Sequence, residues 1–405
     1  MRDNGHVTRA FSTSLTRRQF TTALAAATAA RGAVDDQPVR VLSVPNNGIQ
    51  PQVVVHEDHV HLAYFAGDAA HGDIFYVRSD DFGRRFSPPV RVNSQSGSAI
   101  AIGSIRGAQI AVGKNGRVHV AWNGSGVAEP KGPMNPDSHR PSFPMLYARQ
   151  NEAGTEFEAQ RNLMRETFGL DGGGSVAADR GGNVYVAWHG KGPSAGVGES
   201  SRQVWIARSA DEGRGFSEER PASHEPTGAC GCCGLRVFSD SRGVVFGLYR
   251  SATENVHRDI YLLRSSDSGR AFSVGRLHQW DVNACPMSSM ALIETQDEVF
   301  GAWETQGQVY FAPLRAGVDY AKTSIRTPPG NNQRRKYPTL AGNQRGEILM
   351  TWVEGAGWQR GGMLGWQIFD RAGRPVVADN TRRDVPVWSF PAAFARPDGD
   401  FTIIV

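Results

Sequence analysis

The feature that most restricts how this chain can fold is an eight-residue pattern that occurs three times. Ser79-Asp80-Asp81-Phe82-Gly83-Arg84-Arg85-Phe86, Ser209-Ala210-Asp211-Glu212-Gly213-Arg214-Gly215-Phe216 and Ser265-Ser266-Asp267-Ser268-Gly269-Arg270-Ala271-Phe272 all read Ser-x-Asp-x-Gly-x-x-Phe. Each follows a short apolar stretch, at residues 74–78, 204–208 and 260–264. The chemistry is that of a hairpin turn. Ser and Asp side chains hydrogen-bond nearby backbone and hold the turn closed. Gly takes a positive φ without steric cost, and Phe folds back onto the sheet. Asp81, Asp211 and Asp267 therefore read as turn-holders, not as catalytic acids. A looser version at residues 150–157 keeps Glu152, Gly154 and Phe157.

The octets start at 79, 150, 209 and 265, so successive starts lie 71, 59 and 56 residues apart. That is the period of a propeller blade lengthened by loops. A second repeat runs in step with it. Tyr64, Trp122, Trp188, Tyr249, Trp303 and Trp352 each end an apolar strand, at intervals of 58, 66, 61, 54 and 49 residues. Residues 401–405 look like a seventh copy at the end of the chain. Short, β-branched, alternating segments argue for sheet throughout. The expected fold class is all-β, a β-propeller. The literal count is six full four-stranded blades plus a composite seventh, with six blades as the alternative. Residues 38–44 resemble an outer strand without a blade of their own, and are expected to pair with the C-terminal strands and close the ring.

The octet resembles the Asp box of the sialidase-like, or BNR-repeat, propellers, and the resemblance covers most of residues 38–405. It implies that the octets share one face and that functional groups gather on the other. The loops of that other face are long, and long loops on a rigid scaffold usually carry function.

Charge and cysteines narrow the setting. Residues 1–33 hold Arg2, Arg9, Arg17, Arg18 and Arg31 and the single acid Asp3. Without them, the 44 basic and 40 acidic residues of the chain fall to 39 of each. No basic footprint remains, which argues against nucleic acid as a partner. Thr16-Arg17-Arg18-Gln19-Phe20 precedes an alanine- and threonine-rich run. This resembles a twin-arginine export signal. The expected organisation is a signal over 1–33 and a single propeller domain over 34–405, periplasmic or secreted. No run is long enough to span a membrane in the mature chain.

An exported chain meets an oxidising compartment, so the four cysteines read first as disulfides. Cys230-Gly231-Cys232-Cys233 opens the fourth inner strand and Cys285 the fifth, in adjacent blades on the functional face. Two disulfides tying these loops are expected, with Cys285 bonded to one of the other three. The alternative is a soft metal such as copper, which thiolates with Met287, Met290 or His278 would suit. The spacing matches no standard zinc pattern.

The same face is expected to carry Arg106, Asp171, Arg250, Arg335 and Tyr337 as catalytic candidates. His189, Glu354 and Trp358 are the ligand-binding candidates. Carboxylates, imidazole, guanidiniums and aromatics together suit a carbohydrate or another small polar ligand. The resemblance implies more for a true sialidase: an arginine cluster for the substrate carboxylate, a tyrosine–glutamate nucleophile and an aspartate acid/base. Its first arginine belongs to a Phe/Tyr-Arg-Ile-Pro motif, and the matching stretch here is Gly48-Ile49-Gln50-Pro51. The arginine is missing, which argues against sialoside turnover. Three readings stand: an exported propeller that binds or hydrolyses a glycan, a cysteine-ligated metal or redox propeller, and a protein-binding scaffold.

Overall fold

A computed structural model describes residues 37–296, 298–315, 325–330, 334–378 and 383–405. The export-type segment 1–33 lies outside them. Residues Val39–Val405 form one compact unit, a β-propeller of seven blades. Blades I to IV each have four strands in the order inner to outer. Blade I is Ile49–His56, His59–Ala66, Asp73–Ser79 and Val90–Arg91. Blades II, III and IV begin with the inner strands Gln109–Val112, Gly174–Ala178 and Arg236–Ser239. Among the described residues blade V has three strands, starting with Met290–Thr295. Blade VI has five, starting with Arg335–Gly342.

Blade VII settles the count. Its inner strands Ala392–Ala395 and Phe401–Ile404 come from the C-terminus, and Val39–Leu42 lies against the second of them. The pairing is parallel, with Val39 opposite Phe401 and Leu42 opposite Ile404. Parallel is the direction an outer strand must take relative to a second strand. The N-terminal segment thus behaves as an outer strand laid directly on the second, with no other strand between them among the described residues. It then leads into the inner strand of blade I, as every outer strand does for the next blade. The alternative of six blades is therefore excluded, and the expectation of six full four-stranded blades plus a composite seventh is corrected to seven blades, of three to five strands among the described residues.

The second repeat now has a physical reason. Each of seven apolar cores lies between two neighbouring blades. Tyr64, Trp122, Trp188, Tyr249, Trp303 and Trp352 are all buried, each in a different one of these cores. Phe401 fills the remaining one. Burial of one such ring stabilises by roughly 2–3 kcal/mol, so each aromatic fastens its blade to the preceding one.

The octets form one repeated turn. Ser79 Oγ donates to Asp81 Oδ1 at 2.8 Å and accepts from the Gly83 N–H at 2.8 Å. Ser209–Asp211 and Ser265–Asp267 repeat this at 2.6 and 2.7 Å, with Gly213 and Gly269 donating to the serine at 2.9 Å. The Arg85 backbone N–H and the Ser79 hydroxyl hold the Asp81 carboxyl down to about 2. All three aspartates are occupied acceptors. Phe86, Phe216 and Phe272 pack on the core shared with the preceding blade.

Candidate functional site

The inner strands line a central channel with a cavity of about 870 Å³. This cavity reaches the turns of the octet-bearing face, touching Asp58, Phe82, Gln296, Gln344 and Arg396. At the opposite face the channel is nearly closed. A recess of about 30 Å³ lies there, lined by Gln52, Ser104, Gln109, Ser289, Tyr337 and Thr339 among others. This cavity and the polar groups around the recess are thus at opposite ends of the channel.

Left-handed backbone at non-glycine residues occurs on both faces, at Glu57, Phe82, Glu212, Ser268 and Gln296 among the octet-side turns and at four positions near the closed end. Gln50, Met287, Tyr337 and Trp388 have φ of 56°, 48°, 56° and 60°. All four stand at or just before inner strands, in blades I, V, VI and VII. Left-handed backbone at a non-glycine residue costs on the order of 1–3 kcal/mol and clusters at functional sites. No sequence signal marks these positions. Gln50 and Tyr337 precede prolines, a context that favours extended backbone. Tertiary bonds hold them instead: the Gln50 side-chain amide donates to Ala101 O and Trp388 O, each at 2.8 Å.

At the rim of this end lies a compact polar–aromatic patch. Trp358 is 46 % exposed. Its ring centroid is 6.3 Å from that of Trp388, edge-on. A side chain at Gly103 would meet the Trp358 ring at 2.9 Å and the Arg106 guanidinium at 3.2 Å, so all three share one corner. Arg106 Nη2 donates to Asp171 Oδ1 at 2.5 Å, and its Nε donates to Asp171 O at 2.7 Å. Both members of this pair are partly open to solvent. The structure therefore brings Arg106, Asp171 and Trp358 together, and adds Trp388.

The other candidates are placed elsewhere. Arg250 is fully buried beneath the Trp280 ring, at 4.9 Å, and donates to Ser288 Oγ at 2.9 Å and to the carbonyls of Arg258 and Glu304. Arg335 is buried, stacks 4.7 Å from Trp352 and pairs with Glu354 at 3.2 Å. Glu354 also accepts from Trp352 Nε1 at 3.0 Å, so its role is to neutralise that arginine. Tyr337 is buried against Phe390. His189 is fully buried, and both its ring nitrogens lack a partner. Burial and then the Arg202 charge push His189 down to about 3, so it is a neutral interior ring. These side chains are enclosed because neighbouring blades pack over the loops that the sequence leaves open.

The cysteine loops do meet. Cys232 and Cys285 form a disulfide, with Cα atoms 6.5 Å apart. Cys230 and Cys233 are buried free thiols, so the expected second bridge is absent. Burial alone would raise the Cys233 thiol. The Cys230 thiol, the Arg250 guanidinium and Ser288 outweigh that and bring it below its ordinary value, while Cys230 is raised by its hydrogen bond to Cys233 and by burial.

No family model matches the chain, and no curated protein matches it. Solved structures do. A protein of unknown function from Dyadobacter fermentans is 14% identical, with 84% of this chain and 96% of that one covered and a TM-score of 0.51. A Penicillium chrysogenum α-L-arabinanase complexed with arabinobiose is 14% identical, with 82% and 95% covered and a TM-score of 0.50. An α-L-arabinofuranosidase of Fusarium graminearum with arabinobiose is 10% identical, with 82% and 97% covered and a TM-score of 0.51. At these identities the likeness is one of fold. At that level the resemblance to a sialidase-like propeller holds, and among the described residues no helix is long and apolar enough to cross a membrane.

Proposed function

We propose that this chain is an exported propeller of the Asp-box type that binds a carbohydrate on the face opposite the octets. The observation that carries the proposal is the Trp358–Trp388 corner beside the Arg106–Asp171 pair. Aromatic faces stack on the apolar faces of sugar rings, while charged hydrogen-bonding groups take the hydroxyls. Export is read from the twin-arginine run, and the Cys232–Cys285 bond suits an oxidising compartment.

Binding rather than hydrolysis is the activity the side chains favour. Glycoside cleavage by the usual route needs a pair of available carboxyl groups flanking the bond. Asp171 is held by Arg106, Glu354 by Arg335, and Tyr337 is buried.

The test is a glycan array probed with mature protein, including arabino-oligosaccharides and sialosides, followed by calorimetry on the best ligand. Trp358→Ala is expected to weaken binding 10- to 100-fold, as loss of an aromatic anchor worth roughly 1.4–2.8 kcal/mol does. A ligand that binds wild type and Trp358→Ala equally would place the site elsewhere.

A further inference from the structure

The sulfur cluster offers a site that the carbohydrate reading does not use. The Sγ atoms of Cys230, Cys232 and Cys233 all lie within 4.8 Å of one another, and all three residues are buried. The Cys230 and Cys232 sulfurs are 3.4 Å apart. A metal held by three thiolates at about 2.3 Å places its sulfurs about 4 Å apart in a trigonal arrangement. The protein already holds these sulfurs near that separation. Ala252 and Met287 pack around them, so the pocket is dry and has a thioether at its wall.

The surrounding charge calls for anions. The guanidiniums of Arg250 and Arg258 both act on the Cys230 sulfur. Arg258 is buried, and its Nε and Nη1 have no partner. Arg202 closes the same corner, and Glu199 is the carboxylate it pairs with, at 2.8 Å. Glu199 also accepts from the Gly231 N–H at 2.5 Å, inside the cysteine loop. Three guanidiniums thus gather near the sulfurs, with Glu199 and, further along Arg250 and Arg258, the buried Glu304 and Asp259 as the carboxylates around them. Buried charge of this kind is costly unless it is matched.

We propose that, when its cysteines are reduced, this chain binds one soft monovalent ion, copper(I), through Cys230, Cys232 and Cys233. Binding replaces three S–H protons by one Cu⁺, which gives a complex of net charge −2 and releases three protons to solvent. Thiolate charge is favoured beside the guanidiniums of Arg250 and Arg258. Thiolates select copper(I). Zinc would need a fourth ligand; no histidine or carboxylate among the described residues joins the three sulfurs, and Cys285→Ser removes the remaining thiol that could. Cys285 is not one of the ligands. Its bond to Cys232 withdraws one sulfur, so the disulfide and the ion compete for the same loop. Export in the folded state would let the ion be loaded before the chain meets oxidant.

The experiment uses the full chain with Cys285→Ser, purified without oxygen and titrated with copper(I) against a chromogenic copper(I) chelator. One ion per chain is expected, with an all-sulfur first shell by X-ray absorption. Adding Cys230→Ser or Cys233→Ser to Cys285→Ser should weaken binding at least 100-fold. Oxidised wild type should bind none until a dithiol reduces Cys232–Cys285. Circular dichroism and a cooperative unfolding transition establish that each variant is folded, and reduced wild type serves if Cys285→Ser is not. Cysteine-dependent binding with that stoichiometry supports the site. Binding by Cys285→Ser no tighter than by a chain with all four cysteines changed to serine overturns it, as does a nitrogen or oxygen first shell.

Discussion

Gly213→Ala tests whether the octet glycine is there for its backbone alone or also for the space it leaves. Gly213 has φ of +77°, and a Cβ there would lie 1.9 Å from the Tyr147 hydroxyl oxygen of the preceding blade. Tyr147 is fully buried, and its hydroxyl meets His119 Nδ1 at 2.7 Å. The new methyl must displace that hydroxyl. Alanine in left-handed backbone costs roughly 1–2 kcal/mol, and a broken buried hydrogen bond adds roughly 1–3 kcal/mol. Gly213→Ala should therefore destabilise by roughly 2–5 kcal/mol. Gly154 is the internal control. It has φ of +69° in the equivalent turn of blade II, and a methyl there would have nothing within 4 Å of it. Gly154→Ala should cost only the backbone part, roughly 1–2 kcal/mol. Urea unfolding at constant slope reads both values. Tyr147→Phe then removes the clashing oxygen, leaving the ring carbon at 3.0 Å. The double variant should be more stable than the sum of the singles predicts by at least about 1 kcal/mol. Equal losses for Gly213→Ala and Gly154→Ala, or additivity of the cycle within about 0.5 kcal/mol, would refute the argument that the turn is fitted against Tyr147.

Glu219→Gln should cost roughly 2–3 kcal/mol, because Glu219 Oε1 accepts from the backbone N–H groups of Arg165, Glu166 and Thr167 at 2.8, 2.9 and 3.0 Å. Burial would raise this carboxyl, but those N–H groups hold it below 4.5; its contribution is thus complete above pH 4.5 and lost as pH falls through the lowered folded value. The gap between wild type and Glu219→Gln should be constant near neutrality and close in acid, and a gap that widens in acid would contradict this. A fluorogenic sialic-acid glycoside should not be turned over between pH 4 and 8. Gln50 stands where the carboxylate-binding arginine would be and is buried, and the donors of Arg106, Arg250 and Arg335 are engaged; turnover on the order of 1 per second would show that another arginine, such as Arg382 outside the described residues, supplies the contact. Changing Arg17→Lys and Arg18→Lys together should block export, and cell fractionation showing the double variant exported as wild type would remove the twin-arginine assignment.

The sequence by itself determined what short-range chemistry determines. A serine bonding to residues two and four positions on, a glycine with positive φ and a strand ending in a buried aromatic are all local, so Ser79, Asp81 and Gly83 announce their turn without a tertiary partner. Repetition of that unit fixed the all-β class, the propeller and the side on which the octets lie. Tertiary structure decided whatever depends on a neighbour far along the chain. The sequence led to the expectation that residues 38–44 would meet the C-terminal strands, but the register that sets Val39 opposite Phe401, and its parallel sense, belong to the closed ring. His189, Arg250 and Arg335 read as loop residues free to meet a ligand, yet adjacent blades close over them and spend or bury their polar atoms. Trp358 and Trp388 meet only because a loop of blade VI and the connection into blade VII converge at the channel mouth. The cysteine spacing permitted several pairings, and the choice of Cys232–Cys285 follows from which two loops of neighbouring blades approach. Local hydrogen bonds are written in adjacent residues. Burial, pairing and charge balance are properties of the closed ring, set only when distant strands pack.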